Sequence, residues 1–122
     1  MPNALAIANT EHKDLKSLPG GFVIIRRMTY GQKLERQGMI RIQFGMSRQR
    51  QSDVKGEMEM ANKIATQFEF KNCIVDHNLT DENDNKLDLS NPVVIDNLDP
   101  RVGEEINTLI SEINNFEEDS GN

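Results

Sequence analysis

Tryptophan is absent from this 122-residue chain, tyrosine occurs once, and aromatic residues make up 5% of it. A core must therefore rely on Ile, Leu, Val, Met and five Phe, and aromatic platforms on which unpaired bases could stack are scarce. Cysteine occurs once, as Cys73, which excludes an intramolecular disulfide framework and fits a reducing cytosol. Histidine occurs twice, as the distant His12 and His77, so no zinc-ligand spacing exists and no metal or cofactor is expected. Apolar runs fall far below the roughly 20 residues of a membrane span, so no membrane partner is expected either. The opening residues MPNALAIANTEHKD lack a basic n-region and an adequate apolar stretch, and do not read as a secretory signal.

What is present suffices for one small domain, with a lean hydrophobic content of 36% that points to burial completed by association. Charge is divided unevenly. Residues 1–56 carry ten Lys/Arg against four Asp/Glu, whereas residues 57–122 carry four against sixteen. Such polarity suits head-to-tail self-association or separate basic and acidic partner surfaces, and equally a surface whose halves neutralise each other. The expected organisation is a flexible arm over 1–17, one domain over 18–116 and an acidic tail over 117–122.

Pro19-Gly20-Gly21 marks a turn that launches the β-prone run Phe22-Val23-Ile24-Ile25. Thr29 is placed to cap a helix from Tyr30 to about Phe44, with Tyr30, Leu34 and Ile42 among its apolar positions. Gly31, Gly38 and Gly45 recur every seven residues there; they either open one face or weaken the helix by about 1 kcal/mol each relative to Ala. Residues 47–56 read as a polar, mainly basic connector. From Ser52 to Phe70 a helix is expected, because Met58, Ala61, Ile64, Ala65 and Phe68 recur at helical spacing. Cys73-Ile74-Val75 reads as a second strand, Asp81–Asn85 as a turn and Lys86–Leu89 as a returning strand. Ser90-Asn91-Pro92 opens one or two helical turns. Asp99 then caps a terminal helix with Pro100 at its first position and an apolar face of Val102, Ile106, Leu109, Ile110, Ile113 and Phe116. The fold class is α+β and predominantly helical: one small domain with two to three amphipathic helices and one or two short strand pairs.

No reactive constellation emerges. Asp81, Asn83 and Asn85 match the first ligands of a calcium loop, but Lys86 stands where its glycine belongs and Pro92 where its bidentate glutamate belongs, so an Asx-rich turn is expected. His77 beside Asp76 lacks the further partners of acid–base chemistry and reads as a hydrogen-bonded residue at a strand end. Gly20-Gly21 precedes a strand rather than a helix, so it is no phosphate loop. No G-x-S-x-G motif occurs and no catalytic residue is assigned. The cations Arg26, Arg27, Lys33, Arg36, Arg41, Arg48, Arg50 and Lys55 could neutralise phosphates, but the sequence pI near 4.9 and the scarcity of aromatics make nucleic acid the weaker reading.

Three stretches together carry a resemblance: PGGFVIIRRMTYGQKLERQ (19–37), FEFKNCIVDHNLTDENDNKLDL (68–89) and LDPRVGEEINTLISEINNFEED (98–119). Over residues 15–119 the chain resembles the tail assembly chaperones of long-tailed bacteriophages and prophages. The resemblance implies a non-enzymatic factor of the host bacterial cytoplasm that binds the tape measure protein, helps deliver tail tube protein and is absent from the finished virion. It also implies a largely helical fold, from which the strands read here depart, and in many phages a frameshifted C-terminal extension. Met39, Met46, Met58 and Met60 fit adaptable contact surfaces, or simply fill the core. The expected partner-binding residues are Met58, Ala61, Ile64 and Phe68 on one helix and Ile106, Leu109, Ile113 and Phe116 on the last, the alternative for each stripe being ordinary core. A structural tail or connector component and a small nucleic-acid-binding regulator are the alternatives.

Overall fold

The structure, a computed structural model, describes residues 2, 4–50 and 54–114. After a 3-10 turn at Ala6–Ala8 come β1 (Thr10–Asp14), β2 (Phe22–Arg26), α1 (Tyr30–Arg50), α2 (Val54–Cys73), β3 (Ile74–His77), α3 (Pro92–Asp96) and α4 (Pro100–Asn114). The result is a small α+β domain, mostly helical.

The sheet is antiparallel in the order β1-β2-β3. Its centre is β2, where β-branched residues suit a pleated surface covered on both sides: Val23 and Ile25 are fully buried, while Phe22 and Ile24 are half-buried. β1 corrects the expectation of a loose arm over 1–17. Thr10–Asp14 pairs residue for residue with Arg26–Phe22, and the Leu15 side chain enters the core. TEHKD carries no apolar alternation because an edge strand held by its backbone ladder needs none. His12 stacks on Phe22 with ring centroids 4.7 Å apart.

The connection into β2 needs its glycines. Gly20 has φ +88°, open to glycine at no steric cost, and a Cβ on the buried Gly21 would lie 3.0 Å from the Leu18 carbonyl oxygen. The Asn78 amide closes this turn, accepting from the Phe22 N–H and donating to the Gly20 carbonyl.

α1 begins where Thr29 indicates, through a reciprocal cap. Thr29 Oγ1 accepts from the Gln32 N–H and Gln32 Oε1 accepts from the Thr29 N–H. The connector expected over 47–56 is instead helix on either side of residues 51–53. α1 continues to Arg50 and α2 starts at Val54, since Arg, Gln and Lys are good helix formers. The two helices form an antiparallel hairpin. At its base, Gln32 Nε2 donates to Asn72 Oδ1 at 3.1 Å, and one turn further Arg36 Nε donates to Glu69 Oε2 at 3.0 Å. α2 then runs without a break into β3, which is one residue longer than expected and bulged against Ile24/Ile25.

The returning strand expected over Lys86–Leu89 shrinks to one bridge, Thr80 to Lys86, and a hydrogen bond from the Leu87 N–H to the Leu79 carbonyl. Side chains outcompete the ladder here. Asp81 Oδ1 accepts from the Asn83 and Asn85 N–H groups, and Asp88 Oδ1 accepts from the Ser90 N–H and hydroxyl. Asn91 caps α3, and Asp99 caps α4 by accepting from the Arg101 N–H at 2.9 Å.

α4 lies against β2 and α2. Val102, Ile106, Ile110 and Ile113 recur at steps of three and four and join Val23, Ile25, Phe70 and Cys73 in one core. Two polar ties fix the helix. Asn114 Oδ1 accepts from the Met28 N–H, and the Glu105 carboxylate accepts from the Lys16 and Ser17 N–H groups and the Ser17 hydroxyl. Those bonds hold the Glu105 carboxyl below the usual carboxylate range, the Ser17 hydroxyl contributing most.

Candidate functional site

The residues expected to contact a partner separate into buried and accessible sets. Ile106 is fully buried, and Ala61 and Ile113 are buried as well, so the stripes containing them are occupied by the chain's own core. Ile64, Phe68 and Leu109 are half-buried, with Phe68 and Leu109 packed against that core. Met58 is half-exposed. Phe116 lies outside the described residues. Regular apolar spacing marks the face a helix buries, and in a single chain that face meets the rest of the molecule first.

Among the described residues, exposed apolar side chains also stand singly at Leu5, Ile7 and Val75, and gather in two further places. The first is a ridge on α1. Tyr30, Leu34, Gly38 and Ile42 follow one another at four-residue steps, the spacing of a helix surface ridge. Their apolar side chains stand in solvent: Tyr30 is 76% exposed, Leu34 49% and Ile42 66%. A Cβ on Gly38 would meet nothing within 4 Å, so the middle of the ridge is a notch open to solvent. Met58 and Met60 add half-exposed thioethers on α2. The spacing is legible in the sequence, but the exposure is not, because α1 turns a mixed seam containing Gln32 and Arg36 toward α2.

The second is a groove of about 480 Å³ between the 15–21 turn, the 79–87 turn, α3 and the start of α4. Leu79 and Val102 form buried walls, with Leu98 half-buried and Val93 and Leu18 exposed at the lip. Its rim carries Asp81, Glu82 and Asp99 against one cation, Arg101, which is paired with Asp99 at 3.2 Å. That pairing holds the Asp99 carboxyl below its ordinary range and lifts Arg101 above its own. Sequence spacing does not reveal this groove, because its walls come from four separated segments.

Two groups with chemical potential are committed to structure. Burial pushes the Cys73 thiol up to about 11, so it stays protonated near neutral pH. His77 is buried with Nδ1 accepting from the Leu79 N–H, and burial first, then the nearby Lys86 ammonium, lowers its pKa. Among the described residues, no three His, Cys, Asp or Glu side chains are grouped to hold a metal ion. None of the described helices is long and apolar enough to cross a membrane. The geometry offers a ridge and a groove for apolar side chains, each bordered by charge. No family model matches the chain, and neither does any curated protein or solved structure.

Proposed function

We propose that this chain is a non-enzymatic assembly factor, a tail assembly chaperone of a long-tailed bacteriophage or prophage acting in the host bacterial cytoplasm. The observation that carries the reading is the uncovered ridge Tyr30–Leu34–Ile42 on the outer helix of the hairpin. An amphipathic segment of tape measure protein can lay its apolar face along such a ridge, with Met58 and Met60 repacking to suit successive client segments. Tail tube protein then joins a scaffold kept from aggregating. Binding through exposed methionine and isolated aliphatic side chains favours tolerance over selectivity, as a chaperone meeting many segments of one long client requires.

Co-expression with a tape measure protein and a tail tube protein from the same genome tests this. The client should stay soluble and copurify with the chain, Leu34→Asp should abolish that, and purified virions should lack the chain. Abundant copies in the virion would make it a structural component instead. Client solubility indifferent to Leu34→Asp would remove the ridge from the mechanism.

A further inference from the structure

The groove beside α3 and the start of α4 shares no residue with the α1 ridge. Its floor is apolar, with Leu79 and Val102 buried and Leu98 half-buried. A volume of about 480 Å³ seats a few aliphatic side chains. Its rim is acidic. Residues 76–114, which supply three of the four walls, carry ten Asp/Glu against two Lys/Arg. The exposed Glu82 has no partner among the described residues, and Asp81 commits only Oδ1 to its turn. The neighbouring cations are already matched: Arg101 pairs with Asp99, Lys86 with Asp76, and Lys16 lies near the Glu105 carboxylate. Two carboxylates therefore stand unneutralised at the mouth of an apolar groove.

The groove wall also offers main-chain groups. Thr80 opposes Lys86 in a bridge whose hydrogen bonds belong to its neighbours: the Leu87 N–H donates to the Leu79 carbonyl, and the Asp81 N–H to the Asn85 carbonyl. In that position the Thr80 N–H and C=O turn outward, away from Lys86. Neither has a partner among the described residues. A donor and an acceptor on one residue are what an added extended strand pairs with, whereas a helical segment has already used its own. Side chains of such a strand alternate, so every second one would enter the groove. Long basic side chains at the intervening positions can reach the two carboxylates while their stems lie along the apolar lip. We propose that this groove recognises an extended peptide segment of another protein in which apolar and basic residues alternate. The site needs neither the ridge nor a client bound there, so the two readings fail separately.

Titration of the isotope-labelled full chain with capped synthetic peptides, followed by amide NMR shifts, tests this. The probe is Lys-Leu-Lys-Leu-Lys. Of two controls, Glu-Leu-Glu-Leu-Glu keeps its apolar side chains and Lys-Ser-Lys-Ser-Lys keeps its charge. The probe should give saturable shifts at Thr80, Asp81 and Leu98, weaken as salt screens the rim, and leave Leu34 and Ile42 unmoved. Each control should bind roughly tenfold more weakly or not at all. Glu82→Lys should weaken the probe about fivefold, while Glu35→Lys, the same charge change on exposed α1 surface, should not. Val93→Lys, at an exposed lip position, should weaken it about tenfold and keep the wild-type circular dichroism. If that variant proves misfolded, Leu18→Lys on the opposite lip takes its place. Controls that bind as tightly as the probe, shifts centred on α1, or equal effects of Glu82→Lys and Glu35→Lys would overturn the proposal. So would the same groove shifts on concentrating the chain without peptide, since a second copy would then fill the groove. No binding at millimolar probe ends it as well.

Discussion

Single residues divide into those the core cannot lose and those whose protonation it has fixed. Ile106 is the first kind: it is fully buried on the α4 face, where truncation removes apolar contact and leaves a cavity. Ile106→Ala should lower the unfolding free energy by about 2–5 kcal/mol, whereas Thr108→Ala on the exposed side of α4 should stay within roughly 0.5 kcal/mol. Urea titrations of the two variants check the contrast, and equal effects would contradict the assigned face of α4. His77 is the second kind. Its folded-state pKa lies below its ordinary value of 6.5, so the folded state binds this proton later than the unfolded state does. The stability this confers is present above pH 6.5 and is lost as pH falls through the depressed value. Thermal midpoints should drop more steeply below pH 6.5 in the wild-type protein than in His77→Gln, even if the variant starts lower.

At the scale of elements, the α1–α2 seam holds the least ordinary interaction in the molecule. Glu69 is buried, its Oε2 takes the Arg36 guanidinium, and its Oε1 finds no hydrogen-bond partner among the described residues. Burial raises its pKa more than the attraction to Arg36 lowers it. The sign is therefore opposite to that of His77. Stability from protonating Glu69 is fully present below its ordinary value of 4.5 and disappears as pH rises through the raised value. Removing the cation strands the carboxylate, so Arg36→Met should cost about 3 kcal/mol at pH 7 and clearly less at pH 4.5, where Glu69 takes up a proton. Urea unfolding at both pH values tests it, and a cost independent of pH would mean that Glu69 is neutral throughout. A buried ion pair is a poor source of net stability but fixes register well, and here it sits one turn from the Gln32–Asn72 bond. The seam thus sets how α1 lies on α2, and with it where the Tyr30–Leu34–Ile42 ridge points.

Across the whole molecule, the sequence was legible wherever local chemistry and tertiary packing agree. Thr29, Asn91-Pro92 and Asp99-Pro100 mark helix starts with side-chain oxygens and fixed φ, and each helix begins there. The α4 stripe was legible as a face to be buried, but not what buries it, since periodicity does not say whether a partner or the chain's own core covers it. β1 was invisible because its stability comes from β2, sixteen residues away at the Thr10↔Arg26 end of a ladder that closes at Asp14↔Phe22. The groove escaped for the same reason: its walls are brought together only by folding. These nonlocal contacts make a body of sheet, α2 base and α4, whereas α1 packs chiefly along α2. A helix held on one side, with its outer ridge in water, opens without disturbing Val23, Ile25 or Ile110. Amide hydrogen exchange should therefore proceed through local opening in α1, at rates well above those of β2 and α4, which should exchange only with global unfolding. Deuterium uptake followed by mass spectrometry separates these segments. Protection in α1 equal to that in α4 at low concentration would mean that hairpin and body unfold as one unit.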